Sequence, residues 1–186
     1  MLGIMLHPDL LKGNGADYVY LSMTYSAGIA EPFPNAALIP RYTYNATTHK
    51  LTSPVEILKG LPSSRDHQGA RPLIGPDRKL YNSIGDQDSN HLAYLCIPNE
   101  AQILPGGEEI SALDWGHYKE KIPRFNLNDS IPDENPVING VRSHVCAWGF
   151  RNPRGTVFSP AESYSPGSTG PTRRHARSHR RGGNYG

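Results

Sequence analysis

Three short polar runs in this sequence combine side chains that could carry out acid–base or electrophilic chemistry. The first is Asp66-His67-Gln68, which follows the turn-forming segment 60–65. An unperturbed histidine ionises close to neutral pH, so His67 could abstract a proton with help from a carboxylate. Neighbours in sequence need not face one another in space, so an ordinary surface Asp-His pair is the alternative at this point.

The second run, Gly85 to Leu92, is dense in carboxylate, amide and imidazole groups, and it contains Asp86, Asp88 and His91. Such a loop could orient a base, bind hydroxyl groups or hold calcium. It lacks the twelve-residue spacing and terminal glutamate of an EF-hand, which argues against a calcium site of that type. A solvated turn rich in Asp and Asn is the alternative.

The third run, Gly149 to Gly155, places Arg151 and Asn152 where a strand is predicted to end. A guanidinium group is planar and always charged, which suits an anionic or quinonoid oxygen. Taken alone, the run could equally be a turn with an incidental arginine.

The elements that must position these runs are short β-strands. With 37% apolar residues, 19 glycines and 17 prolines, the composition favours many turns over long helices, and we predict an all-β fold. The segment Gly107 to Tyr118 is expected to form one or two helical turns at most. Seven runs have strand length and strand composition: Tyr18 to Tyr25, Leu38 to Tyr44, Val55 to Leu58, Leu80 to Ile84, Arg124 to Leu127, His144 to Trp148 and Thr156 to Phe158.

An internal repeat indicates how the strands are organised. The run Ile39-Pro40-Arg41-Tyr42-Thr43-Tyr44-Asn45 is echoed by Ile122-Pro123-Arg124-Phe125-Asn126-Leu127-Asn128, 83 residues later. The Pro-centred turns at residues 7–9, 75–77 and 159–161 form a second echo. Repetition in a turn-rich β sequence predicts propeller blades, each a small antiparallel sheet of four strands. Polar insertions at 63–70 and 87–116 would account for the long period.

Composition also excludes several classes of protein. No run approaches the ~20 apolar residues that a membrane-spanning helix needs.

Cys96 and Cys146 lie in apolar segments and are expected to be buried free thiols. Residues 172–181 contain five arginines and no acidic residue. This basic segment lacks interleaved aromatic residues, so we interpret it as a solvated tail and expect no nucleic-acid partner.

Taken together, the motifs resemble those of soluble pyrroloquinoline-quinone (PQQ)-dependent glucose and aldose sugar dehydrogenases. The resemblance runs from Leu2 to Phe158 and returns at Gly182. It rests on five motifs in order: Gly-Leu-Pro-Ser-Ser-Arg-Asp-His-Gln (60–68), Ile-Gly-Asp-Gln (84–87), Leu-Ala-Tyr-Leu (92–95), Arg-Asn-Pro (151–153) and Gly-Gly-Asn-Tyr-Gly (182–186). It implies a six-bladed propeller, of which about two to three blades are present here, with PQQ and Ca²⁺ in a central cleft.

The resemblance also implies roles for individual residues. His67 matches the general base that takes the proton of the anomeric hydroxyl, and Asp86 matches the carboxylate that orients it. Arg151 matches the arginine that polarises the quinone carbonyl, and Asn152 a neighbouring cofactor contact. The remaining matches are substrate-facing positions, Asp66, His91 and Leu92, and two backbone carbonyl ligands of calcium, Gly170 and Pro171.

Two departures from the family pattern qualify these expectations. His91 stands where the glucose enzymes carry a glutamine, which puts the substrate preference in doubt. Residues 172–181 replace an acidic segment of the family, and a local reading-frame error or divergent splice is the economical interpretation. The predicted organisation is a partial propeller over 1–171, a divergent basic segment over 172–181 and a family-like turn over 182–186.

The predicted function is therefore oxidation of the C1 hydroxyl of an aldose to a lactone by hydride transfer to PQQ. The sequence reads as an incomplete chain, so we expect little or no activity from it alone. A non-catalytic propeller that binds partners is the alternative. The family resemblance further implies an external electron acceptor, frequent homodimers and a periplasmic or secreted location.

Overall fold

The computed structural model describes residues 2–28, 35–69, 71–91, 94–158 and 182–185, together with the backbone of 164–168. The predictions for Leu92, Gly170, Pro171 and the basic segment 172–181 lie outside the described residues. Within them the chain is almost entirely β-structure, as its composition predicts. Helix is confined to α1 (Gly107–Ser111) and one 3-10 turn (Gly116–Tyr118), in agreement with the expected one or two turns.

The first sheet is a four-stranded antiparallel meander in which every strand pairs with its neighbours in sequence. Its strands are β1 (Gly3–Leu6), β2 (Tyr18–Ser26), β3 (Asn35–Asn45) and β4 (Lys50–Ser63). The strand β4 is much longer than the predicted run Val55 to Leu58, because its polar first half continues the hairpin with β3 in spite of being exposed. Backbone pairing extends this ladder where side-chain burial gives no signal.

The second sheet repeats this plan and adds one strand. Its spatial order is β5, β6, β7, β10, β13, and the last pair is parallel. The bounds are β5 (Leu73–Ile74), β6 (Leu80–Tyr81), β7 (Lys121–Phe125), β10 (Val145–Trp148) and β13 (Gly183–Asn184). Two hairpins complete the described structure, β8 (Val137–Ile138) with β9 (Val141–Arg142), and β11 (Pro153–Phe158) with β12 (Tyr164–Ser168).

The internal repeat corresponds to equivalent strands. The run that begins at Ile39 lies largely in β3 and the run that begins at Ile122 lies largely in β7, and each is the third strand of its sheet. The turns at residues 7–9 and 75–77 likewise follow the first strand of each sheet. The third echo, at residues 159–161, lies outside the described residues. The repeat therefore marks two consecutive sheets of one design, as blades require.

The larger apolar core lies between the two sheets and is fully shielded. Ile39 and Leu61 of the first sheet and Leu80 and Phe125 of the second are 0% exposed and belong to one cluster. Trp115, from the segment between α1 and the 3-10 turn, packs edge-on against Phe125 at 6.0 Å. Burial of each such side chain contributes about 1.5–3 kcal/mol, so mutual burial of two sheet faces holds them in a fixed relation.

The prediction of a buried thiol is confirmed for Cys146 and wrong for Cys96. Cys146 lies buried in β10, but Cys96 is exposed. Its apolar neighbours belong to a loop that packs only partly: Leu95 is 65% exposed. Local hydrophobicity therefore misled the prediction, because this apolar run does not belong to a buried strand.

Candidate functional site

The three polar runs come together in space because each one follows a strand. His67 lies four residues after β4, Asp86 follows the short strand β6, and Arg151 follows β10. Backbone hydrogen bonds join them: the Gly85 N–H donates to the Gln68 carbonyl at 3.3 Å, and the Asp86 N–H donates to the Arg151 carbonyl at 2.9 Å. The side chains that the sequence singled out separately thus share one site.

Gly85 is required at the point where the segments cross. A Cβ atom there would lie 1.9 Å from the His67 carbonyl oxygen and 2.7 Å from Asn152 Oδ1. No side chain fits in that space, so glycine is needed for its lack of a Cβ. The close approach brings the segments of His67, Asp86 and Asn152 against one another.

A carboxylate joins the histidine to the arginine. Asp86 is only 1% exposed; its Oδ1 lies 2.7 Å from His67 Nδ1, and its Oδ2 lies 3.3 Å from Arg151 Nε. Because a carboxylate accepts hydrogen bonds, it holds the proton of the neutral imidazole on Nδ1. Nε2 of His67 then carries a lone pair and has no hydrogen-bond partner within the described part of the chain. This is the geometry of a general base.

The loop that carries Asp86 has an unusual backbone. Gln87, Asp88 and Asn90 have φ values of 57°, 67° and 56°, and His67 has a φ of 47°. Non-glycine residues seldom adopt this left-handed region, and such conformations cluster at functional sites. The loop turns Asp88 back toward the histidines: its Oδ1 lies 2.8 Å from His91 Nδ1 and 3.7 Å from His67 Nδ1.

The two imidazoles lie side by side above this loop. Their ring centroids are 6.0 Å apart and the planes differ by 16°. The His67 side chain is 16% exposed, whereas the His91 side chain is 45% exposed. His91 therefore lies at the outer edge of the site, next to His67.

A cavity of about 490 Å³ opens beside His67. Asp66, Gln68 and Asn152 contribute to its wall. Three arginines also line it: Arg65, Arg71 and Arg154. Guanidinium groups therefore outnumber carboxylates in the lining of the cavity. The site thus favours an anionic, planar ligand.

The arginine and amide side chains of this cavity suit PQQ, a quinone that carries carboxylates. Guanidinium groups pair with carboxylates through two parallel hydrogen bonds, and His67 itself lines the cavity beside the arginines. Asn152, 2% exposed, supplies an amide at the wall. Leu92 and both predicted calcium ligands, Gly170 and Pro171, lie outside the described residues.

A second layer of charge lies behind the loop that carries Asp86. Glu120 is 1% exposed, its N–H donates to the Gly85 carbonyl at 3.3 Å, and its carboxylate accepts the Glu100 N–H at 2.5 Å. Burial raises the pKa of Glu120 to about 7, the Glu100 amide opposes that rise, and the neighbouring Asp86 carboxylate adds to it. Burial lowers the pKa of the adjacent Lys121 to about 8.

Sequence reasoning missed several members of this site. It named Asp88 only as part of a polar loop, and it did not select Glu120, Arg71 or Arg154. Glu120 follows a predicted turn and looks like an ordinary surface residue. Its burial depends on contacts with the Asn99 side chain and the Glu100 amide about twenty positions away. Proximity of Arg154 to Arg151 was the one available signal, since both lie in one short run.

The chain matches a protein-family model and a curated relative along most of its length. The family model described as glucose/sorbosone dehydrogenase matches residues 1–186. Quinoprotein glucose dehydrogenase B of Acinetobacter calcoaceticus is 46% identical over 173 residues, which is 92% of this chain and 36% of that protein. The chain therefore spans about a third of the length of this curated relative.

Solved structures agree on the fold. The soluble aldose sugar dehydrogenase of Escherichia coli, in its apo form, aligns with a TM-score of 0.73 at 20% identity, over 98% of this chain and 47% of that one. The PQQ-bound aldose sugar dehydrogenase of Streptomyces coelicolor aligns with a TM-score of 0.71 at 22% identity, over 99% and 46%. The predicted fold class, all-β and part of a β-propeller, is confirmed. No helix in the described ranges is long and apolar enough to cross a membrane.

Proposed function

The chain belongs to the glucose/sorbosone dehydrogenase family, and from this premise we propose that its site oxidises the anomeric C1 hydroxyl of an aldose to a lactone, with PQQ as the hydride acceptor. The observation that supports the proposal most directly is the buried carboxylate of Asp86 between His67 and Arg151. These three residues are the proposed catalytic set.

His67 Nε2 takes the proton of the anomeric hydroxyl in this proposal. Asp86 fixes the tautomer that leaves Nε2 unprotonated and stabilises the imidazolium that forms on proton uptake. Since Asp86 is buried and held by Arg151, its charge acts on the imidazole with little screening by water. Proton removal makes the C1–H bond a better hydride donor.

When bound, PQQ would supply the electrophilic carbonyl that accepts this hydride. Arg151 and Asn152 would hold it, and the guanidinium of Arg151 would place positive charge where negative charge develops. The arginines that line the cavity would pair with its carboxylates. Gly170 and Pro171 are proposed to offer backbone carbonyls to Ca²⁺, a cation that prefers oxygen ligands.

Asp66, His91 and Leu92 are proposed to face the sugar. Polar groups that face buried hydroxyls must be paired, since an unpaired one costs about 1–3 kcal/mol. An external electron acceptor would reoxidise the cofactor. By family membership we further propose a periplasmic or secreted location and a homodimeric protein.

The test follows aldose-dependent dye reduction after addition of PQQ and Ca²⁺ to the protein, at high protein concentration so that slow turnover is measurable. We expect low turnover from the 186-residue chain, because it spans about a third of its curated relative. His67→Ala should lower that rate by ~10²–10⁴-fold, the usual contribution of a general base. The matched control is His49→Ala, which alters an exposed histidine in a turn.

The outcomes discriminate between enzyme and binding module. Turnover that survives His67→Ala unchanged would reject the catalytic assignment. PQQ binding that is tight in this chain, with turnover that His67→Ala does not lower, would favour a propeller that keeps the fold and has lost the reaction. Absence of PQQ binding would reject the cofactor proposal.

A further inference from the structure

Two histidines present the same ring nitrogen to one buried carboxylate. Nδ1 of His91 and Nδ1 of His67 lie 2.8 Å and 3.7 Å from the same oxygen, Oδ1 of Asp88. Asp88 is 6% exposed and therefore has little water to neutralise its charge. Asp66 adds a further oxygen: ligand atoms of Asp66, His67 and Asp88 all lie within 4.8 Å of one another.

We propose that Asp66, His67, Asp88 and His91 form a binding site for a divalent transition-metal ion of the zinc class, and that the ion inhibits the enzyme by occupying His67. The binding of the ion stands by itself. The inhibition rests on the proposed function, because it requires His67 to be the base.

The ligand types favour zinc over calcium. Two imidazole nitrogens and two carboxylates match the nitrogen and oxygen donors that bind Zn²⁺ in four-coordinate sites, whereas Ca²⁺ takes six to eight oxygens. Zinc bonds of ~2.0–2.2 Å require ligand atoms about 3–4 Å apart, so the ligand atoms of Asp66, His67 and Asp88, which lie within 4.8 Å of one another, must move closer by about 1–2 Å. The side chains of Asp66 and His91 are 62% and 45% exposed, which leaves them free to make that adjustment.

The backbone already directs two of the ligands. His67 and Asp88 are fixed in the left-handed region, with φ values of 47° and 67°. The Asp88 N–H donates to Asp86 Oδ1 at 3.0 Å, which anchors the loop. Stacking at 6.0 Å keeps the two rings nearly parallel, with both Nδ1 atoms toward Asp88.

Metal binding would reverse the tautomer of His67. Coordination needs the lone pair of Nδ1, so the single N–H proton of the neutral ring, which Nδ1 shares with Asp86, must be released to solvent, and Nε2 takes a proton from solvent in its place. The metal-bound ring is then the neutral tautomer with its proton on Nε2. Nε2 then donates a hydrogen bond and cannot accept the proton of the sugar, and the base is blocked without any change of fold.

The test measures metal binding directly. Zn²⁺ is titrated calorimetrically into the full chain, and Co²⁺ is used as a spectroscopic probe of tetrahedral coordination. The substitution His91→Gln should lower the affinity for one equivalent of zinc by at least about ten-fold, since loss of even a residue that only supports a metal ligand lowers metal affinity by ~10–100-fold. The matched control, His49→Gln, removes an exposed histidine elsewhere and should leave that equivalent unchanged.

Two further measurements fix the location of the ion. His175 and His179, in the basic segment, could also bind zinc, so the titrations are repeated in a His175→Gln/His179→Gln background. Paramagnetic Co²⁺ should broaden the ring resonances of His67 and His91 at the same occupancy and leave His144 unaffected. Equal zinc affinity with and without His91, or broadening of His67 alone, would overturn the proposal.

The experiments can reject the metal site and the proposed function independently of each other. Zinc bound at His91 in a protein without turnover would reject the enzymatic function and keep the metal site. Turnover that zinc inhibits equally in wild type and His91→Gln would keep the function and reject the site.

Discussion

His67 and His144 both form hydrogen bonds within the chain, yet their surroundings differ. His67 lines an open cavity, its side chain is 16% exposed, and its Nδ1 faces a carboxylate. His144, 3% exposed, uses both nitrogens: Nε2 lies 3.0 Å from the Asp129 carbonyl and must donate to it, while Nδ1 accepts the Tyr118 hydroxyl at 3.2 Å. Burial lowers the pKa of His144 to about 4, although the Asp129 carbonyl opposes this.

The difference teaches that burial alone does not make a histidine functional. Neutral partners at both nitrogens and aromatic neighbours, such as Phe125 at 4.7 Å, keep His144 uncharged and without a free lone pair. His67 has a carboxylate at Nδ1 and, within the described residues, no hydrogen-bond partner at Nε2, which leaves that nitrogen free to accept a proton.

The largest expected effect comes from removing the carboxylate that distinguishes the two histidines. Asp86→Asn keeps the shape but lets the amide donate to Nδ1, which would put the imidazole proton on Nε2 and block the base. We expect quinone-dependent turnover to fall by about 10²–10⁴-fold with the fold retained. Turnover is compared with Asp133→Asn, an exposed control. A loss of less than ten-fold would show that Asp86 does not set the tautomer.

The sequence predicted the repeated strands and the three polar runs, but it did not predict every contact within the site. The echo between Ile39 and Ile122 predicted equivalent strands because repeated blades bury repeated residue types. The order of the three polar runs located the candidate site. Convergence of Asp88 on both histidines was not predictable, because it depends on left-handed backbone at Gln87 and Asp88. Neither residue is restricted to that conformation by its type.

Acid should destabilise the fold through His144. The pKa of His144 is about 4 in the folded protein and near 6.5 when unfolded, so the unfolded chain binds more protons between these values. The free energy of unfolding should therefore fall by up to about 3 kcal/mol as the pH drops from 6.5 to 4. Urea denaturation across this range measures it.

This prediction is checked by the slope of unfolding free energy against pH, and not by the stability at any one pH. His144→Gln removes the titrating group and should flatten the pH dependence between 4 and 6.5, even though it lowers stability at pH 7. His49→Gln, at the surface, should retain the wild-type slope. An unchanged slope in His144→Gln would mean that another group causes the acid loss.

Glu120 should have the opposite pH dependence just behind the site. Burial raises its pKa from an ordinary 4.5 to about 7, so the folded protein holds a proton that the unfolded chain has lost. Stability should fall by about 2–3 kcal/mol as the pH rises from 4.5 through 7. Glu120→Gln should remove this decline in urea denaturation. Glu108→Gln, exposed in α1, should preserve it, and identical slopes in both variants would contradict the assignment.

The smallest effect isolates one hydrogen bond of His144. Tyr118→Phe leaves Nδ1 of His144 as a buried acceptor without its donor, at a cost of about 1–2 kcal/mol. Tyr44→Phe removes the same kind of Tyr–His bond, 3.0 Å long but exposed, and water should replace it at little cost. Loss of the Tyr118 donor also frees Nδ1 to take a proton, which raises the pKa of His144 in the folded protein. The loss of stability in acid, which begins near pH 6.5 in both proteins, should therefore be smaller and end at higher pH in Tyr118→Phe than in wild type. If the size of that loss does not change, the hydroxyl is not what keeps His144 neutral.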